Sequence, residues 1–157
     1  MNIDLLVVGK TDSAEIQSLV ATYLKRLNFY TRVTLVTLPD LKNTRNISAE
    51  SQKRQEGELL MRQFADGDYV VLLDEKGAEM RSVEFSMWLQ KRMNSGVRRL
   101  CFVIGGPYGL APEVKQRADL LWSLSKLTFT HELARLLLFE QLFRATNILH
   151  GGSYHNP

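Results

Sequence analysis

At 157 residues the chain has the length of one domain with room for a sizeable core, and 45% hydrophobic with 24% charged residues excludes a disordered or low-complexity protein. A formal net charge of +3 permits a nucleic-acid partner without requiring one. The single cysteine, Cys101, excludes an internal disulfide and a Cys-based zinc site.

The opening MNIDLLVVGK has too short an apolar run, broken by Asp4, for a secretory or membrane segment, so a cytoplasmic protein without a membrane partner is expected. Within it, Ile3–Val8 is rich in apolar and β-branched residues and reads as a strand. Asp12 with Glu15 gives a capping-box-like start to a helix through about Leu27. Val33–Leu38 alternates apolar and polar residues as a half-buried strand, stopped by Pro39. The polar stretch LKNTRNISAESQKRQEGE becomes helical toward Phe64, with Leu59, Leu60 and Phe64 as a weak apolar stripe.

Tyr69–Leu73 is a continuous apolar run ending at Asp74 and reads as a central strand, with Glu75–Glu79 a loop around Gly77. Ser82 is the expected N-cap of a helix carrying Phe85, Trp88, Leu89 and Met93 and ending near Gly96. Leu100–Ile104 is a second central strand, with Cys101 as a buried structural thiol. Pro112 and Glu113 start a short helix to about Asp119; LLWSLSKLTFTH is a strand or extended loop; His131–His150 is the last helix. This alternation predicts an α/β fold, a parallel sheet with helices on both faces, in a single domain over 1–157.

At about 100° per residue, Ala134, Leu138 and Ala145 of the last helix share one side, while Leu136, Phe139 and Phe143 fall roughly opposite. One face suits the sheet. The other needs another partner, which predicts a homodimer built on this helix.

CFVIGGPYGL, residues 101–110, runs from a strand into a glycine-rich turn. No Lys-Ser or Lys-Thr pair follows as in a P-loop, and Pro107 breaks the G-x-G-x-x-G pattern. Glu113 puts a carboxylate where a phosphate needs positive potential. A phosphate-free or cationic cofactor fits better, and a purely structural turn is equally open. Leu73 and Gly105 end two strands on the side where open parallel sheets bind ligands.

Two clusters of basic residues, Lys42, Arg45, Lys53 and Arg54, then Lys91, Arg92, Arg98 and Arg99, read either as phosphate contacts or as solvated helix faces. Glu140 and Arg144 are spaced for an intrahelical ion pair. Tyr154 and His155 follow the Gly151-Gly152 pair, either as a frayed tail or as an aromatic and an imidazole beside a nucleobase. His131, His150 and His155 show no metal-ligand spacing.

Together the IGGPYGL turn, the WSLSKLTFTHELARLLLFEQLFRA segment and the terminal Tyr-His resemble the ribosomal RNA large subunit methyltransferase H family, of the SPOUT class, over the whole chain. The resemblance implies a deep C-terminal trefoil knot, a homodimer pairing through it, and S-adenosylmethionine as cofactor. It implies methyl transfer to N3 of a pseudouridine in helix 69 of large-subunit ribosomal RNA, on the assembled ribosome, with no metal. The implied cofactor residues are Leu73, Gly105 and the run Leu124, Ser125, Lys126, Leu127, Thr128 and Phe129. The implied catalytic group is His155 as proton acceptor or base-orienting residue, Tyr154 as stacking or hydrogen-bonding contact, and Arg144 as anion stabiliser. Glu140 would orient Arg144, and His131 would contact substrate or the cofactor loop. Two positions depart from the family pattern: Asn156 stands where Arg or Lys is common, and Tyr108 where Glu is common. A non-catalytic ribosome- or RNA-binding module and a nucleotide-dependent oxidoreductase are the competing expectations.

Overall fold

A computed structural model describes residues 1–157. Five parallel strands form one sheet: β1 (Asn2–Val8), β2 (Val33–Leu38), β3 (Tyr69–Glu79), β4 (Arg99–Ile104) and β5 (Leu120–Ser123), in spatial order β2-β1-β4-β3-β5. Between them run α1 (Ala14–Leu27), a 3-10 turn (Thr44–Asn46), α2 (Ala49–Met61), α3 (Ser82–Asn94) and α4 (Pro112–Arg117), and α5 (His131–Leu149) closes the chain.

Side chains alternate across a strand, so an all-apolar strand feeds two cores. Ile3, Leu5 and Val7 of β1, with Leu100, Phe102 and Ile104 of β4, join a cluster with Leu27, Phe85, Leu138 and Phe139 from α1, α3 and α5. Leu6 and Val8, with Cys101 and Val103, join the opposite cluster with Leu60 of α2 and Val114 of α4. The sheet is thus covered on both faces, as the alternation of elements predicts. Phe85 stacks on Trp122 at 4.3 Å between ring centroids, and on Trp88 at 5.8 Å, pinning α3 over β5.

Local signals misplace several boundaries. Ser13, not Asp12, caps α1, its hydroxyl accepting from the Ile16 amide at 3.3 Å. At α3 the N-cap is Arg81, whose amide donates to Glu84 at 2.6 Å, and Ser82 instead donates to Gln141 of α5 at 2.8 Å. Helix α2 ends at Met61, short of Phe64, and α4 ends at Arg117. The expected loop Glu75–Glu79 is the far half of β3: after an irregularity it pairs again, Ala78 with Trp122 and Glu79 with Ser123. Gly77 makes that possible, since a Cβ there would lie 2.6 Å from the Leu121 carbonyl carbon and oxygen.

The two-faced reading of α5 is corrected most. Phe139 and Phe143 are buried at 0% and 9% exposure in the same core as Leu138 and Ala145. Helix α5 lies between α1 and α3, so its apolar circumference meets this chain's own elements on more sides than a surface helix would. Leu133 alone of its leucines is clearly exposed.

Candidate functional site

A cavity of about 480 Å³ opens over the carboxyl end of β4 and the irregularity that follows Leu73 in β3. Leu73 and Gly105 both line it, Gly105 just past the end of β4 as the crevice rule expects, and Leu73 at the break in the β3–β5 pairing rather than at the end of β3. Leu124, Ser125, Leu127, Thr128 and Phe129 form a second wall, and His131 and Ala134 from the head of α5 complete it. Lys126 is exposed and does not line the cavity. The turn contributes Gly106, Pro107, Tyr108 and Gly109, with Gly109 at a φ of 84° that closes a hydrogen bond back to the Gly106 carbonyl.

Residues 124–129 enter no backbone–backbone hydrogen bond. Leu127 N–H is bound by the Ser125 hydroxyl at 3.0 Å, and the Ser123 hydroxyl donates to the Ser125 carbonyl at 2.8 Å. The loop is braced from outside, where the Thr128 hydroxyl donates to Glu75 at 3.0 Å. The remaining backbone donors and acceptors are open to a bound polar group, since such groups are otherwise satisfied. This donor set suits a heterocycle edge and an apolar body. It does not suit a pyrophosphate, because α4 begins with Pro112 and Glu113 and spans only six residues.

Sequence reasoning missed Asp74, Glu75, Lys53, Lys115 and Ala134 as lining residues. Asp74 and Glu75 follow Leu73 directly and were accessible to the same crevice argument. Lys53 arrives from α2, on a separate part of the chain, and no spacing signals it. Asp74 pairs with Lys115 at 3.7 Å.

Behind the turn lies Glu56, 4% exposed, bonded by the Gln52 amide at 3.3 Å. Burial pushes its carboxyl up from the ordinary range, opposed by the Gln52 bond and reinforced by Asp40. Glycines 105 and 106 are explained from this side. A Cβ on Gly105 would lie 2.9 Å from Leu110 Cγ, and one on Gly106 would meet the Glu56 carboxylate. Their lack of a side chain serves packing within the protein rather than close approach of a ligand.

The other candidate residues gather elsewhere. Arg144 donates twice to Glu140 Oε1, from Nε at 3.1 Å and Nη2 at 2.5 Å, and Gln141 donates to Oε2 at 2.8 Å. The Glu140 bond raises the Arg144 pKa, so its cation is permanent. Its guanidinium lies 4.7 Å from the Tyr154 ring centroid, and Nη1 is 3.2 Å from His155 Nδ1. A guanidinium has only donors, so Nδ1 accepts and a neutral His155 ring carries its proton on Nε2. The Tyr154 hydroxyl donates to Glu140 at 3.2 Å and faces the Tyr23 hydroxyl at 3.5 Å. The bond to Tyr23, then burial and Glu140, push the Tyr154 phenol up to about 12, so it stays protonated. The tail is therefore docked on α5 and α1, not frayed.

The structure brings Glu140, Arg144, Tyr154 and His155 together and leaves His131 at the cavity. With a rise of about 1.5 Å per residue, the Arg144 end of α5 is about 20 Å from His131 along the axis. No His/Cys/Asp/Glu group could hold a metal ion, and no helix is long and apolar enough to cross a membrane. Cys101 is buried, with its thiol pushed up to about 12 by burial, which removes it as a nucleophile.

Residues 1–155 match the family described as "Predicted SPOUT methyltransferase", which places this parallel α/β chain in the SPOUT methyltransferase class. The chain is 48% identical to the ribosomal RNA large subunit methyltransferase H of Christiangramia forsetii and 47% identical to that of Flavobacterium johnsoniae, each over 156 residues and 99% of both chains. It belongs to the ribosomal RNA large subunit methyltransferase H family. Its fold also resembles that of a probable methylase family protein from Haemophilus influenzae Rd KW20, with a TM-score of 0.54 at 12% identity over 99% of this chain and 71% of that one.

Proposed function

We propose that the protein is an S-adenosylmethionine-dependent methyltransferase that modifies N3 of a pseudouridine in helix 69 of large-subunit ribosomal RNA, within the assembled ribosome. The observation that carries the reading is the cavity walled by residues 124–129, whose backbone groups, apart from Leu127 N–H and the Ser125 carbonyl, are unspent. Leu73, Gly105, Leu124, Ser125, Leu127, Thr128 and Phe129 would hold the cofactor, with Lys126 contributing main chain only. When bound, the cofactor's sulfonium supplies an already activated methyl group. The protein's part is to align the acceptor and to ease loss of the N3 proton.

Arg144, fixed by Glu140, offers a permanent cation to the charge that develops on the base. His155, bound through Nδ1, presents Nε2–H and acts with Arg144 on a base oxygen. That tautomer makes His155 a donor and leaves the N3 proton to solvent. Tyr154 packs against the Arg144 guanidinium and positions the tail. His131 reaches the cofactor cavity.

The separation between tail cluster and cavity supports a homodimer, in which the tail of one copy completes the cavity of the other. Leu133 on α5 and Leu19 on α1, 37% and 48% exposed, suit such an interface. The path from β4 around β3 to β5, and then to α5 on the opposite face, supports the deep knot that goes with this fold.

Calorimetry with S-adenosylmethionine and mass spectrometry of helix 69 fragments, after incubation with ribosomes lacking the modification, test the reading. Binding together with a methylated pseudouridine is expected. No binding at millimolar cofactor overturns it. Ribosome association that ignores both the cofactor and His155→Ala would make the protein a binding module instead.

A further inference from the structure

From Ile16 through Pro39 the chain contains no acidic residue, while Lys25, Arg26 and Arg32 lie there. Those three cations match the formal excess of +3, so the remainder of the chain is formally neutral. All three are exposed, and none enters an ion pair. In their midst Phe29, just past the end of α1, is 85% exposed.

An isolated exposed apolar side chain is ordinary. Phe29 differs in how it is held and in what adjoins it. Its ring stands edge-on to Tyr30 at 5.4 Å and 85°, and Tyr30 packs on His150 at 4.6 Å, so the Phe29 ring meets an anchored neighbour along one edge and leaves its face to solvent. Arg26 lies 5.8 Å from the ring centroids of both Tyr23 and Phe143, and Phe143 packs on Tyr154 at 4.9 Å. The basic surface is therefore continuous with the Tyr154–His155 cluster.

We infer that Phe29, with Lys25, Arg26 and Arg32 within four residues of it in the chain, is a stacking platform for an unpaired base of the RNA beside the target nucleotide. An exposed aromatic face beside cations that enter no ion pair is what an unpaired nucleotide recognises: the ring takes the base, and the cations take the flanking phosphates. This rests on the methyl-transfer reading for the identity of the RNA, but the stacking surface has its own test.

The experiment compares full-length wild-type protein with Phe29→Ala, Phe29→Leu and Phe29→Tyr on ribosomes lacking the modification, by co-sedimentation and by methyl-transfer kinetics. Phe29→Ala and Phe29→Leu should each weaken binding and raise KM for ribosomes about tenfold, with kcat and cofactor affinity unchanged. Phe29→Tyr should behave as wild type. Lys25→Gln should lower the slope of log affinity against log salt by about 1. Full binding by Phe29→Ala overturns the inference. So does full binding by Phe29→Leu, which would mean an apolar protein contact, or a change in sedimentation mass in Phe29→Ala, which would mean contact with a second copy. If wild type methylates nothing, the proposed function fails, and co-sedimentation of the same variants still decides the platform.

Discussion

Gly106→Ala tests why the turn over the cavity is glycine-rich. A Cβ at Gly106 would run into Glu56 Oε2 and lie 2.9 Å from Oε1 and 3.0 Å from Cδ. Glu56 is 4% exposed and held by Gln52, so its carboxylate yields only by giving up that bond and swinging toward the small cavity it lines. Overpacking of this kind costs about 1–3 kcal/mol. With a urea slope of about 1–3 kcal/mol per molar, that is a midpoint shift of about 1 M. Removing the obstacle should remove the cost: in a Glu56→Ala background, Gly106→Ala should be close to neutral, a coupling of about 1–3 kcal/mol in the double-mutant cycle. Urea melts of the four proteins measure it, with cofactor affinity by calorimetry alongside. Additivity within about 0.5 kcal/mol would refute the reasoning. So would a loss of cofactor affinity that is equal in both backgrounds and carries no stability cost, because the glycine would then be facing the ligand.

Glu56→Gln should alter the pH profile of stability. A carboxyl raised in the folded state binds its proton more tightly there, so its contribution is complete below the ordinary value of 4.5 and is lost as pH rises through the raised one. Urea melts at several pH values should show wild type falling relative to Glu56→Gln above about pH 4.5, then a plateau. Cys101, with a pKa of about 12 and no exposure, should resist thiol reagents in the native protein at pH 8 and react on unfolding; labelling of native protein at the unfolded rate would contradict this. For the composite site, Ala134→Phe fills the cavity wall and His155→Ala removes the tail group, and each alone should be inactive. Randomly mixed subunits of the two should recover about a quarter of wild-type activity, whereas a site held within one chain recovers none.

Four of the five strands and their alternation with helices were legible because buried strands are apolar runs of the right length between helical patterns, whereas LLWSLSKLTFTH left β5 open between strand and extended loop. What failed was local. Gly77 and the charged residues around it read as a loop, yet they pair with β5, because the partner strand and not the sequence of 75–79 decides that pairing. The caps moved by one residue where two adjacent polar residues competed. Phe139 and Phe143 on α5 fell opposite Leu138 and Ala145 by helical angle, and the structure buries all four because α1 and α3 flank the helix. A periodicity argument cannot count the neighbours around a helix. The cavity was legible from Leu73 and Gly105, read as strand ends. Lys53 was not, since its place there depends on how α2 crosses the sheet.

The two halves of the candidate site make different demands on the chain. The cofactor wall needs a segment whose backbone is not consumed by its own structure, and residues 124–129 achieve this because Ser123, Ser125 and Glu75 brace the loop through side chains instead. The tail cluster needs the reverse, polar groups whose partners fix every orientation. Glu140 alone accepts from Arg144 and Tyr154 on one oxygen and from Gln141 on the other. A single helix carries both ends without bringing them together. If the proposed homodimer forms, one copy's fixed cation and imidazole meet the other copy's open backbone only on assembly. Activity then depends on the association of two surfaces as well as on either site, and a substitution at Leu133 or Leu19 that blocks pairing abolishes methyl transfer while cofactor binding to the cavity survives.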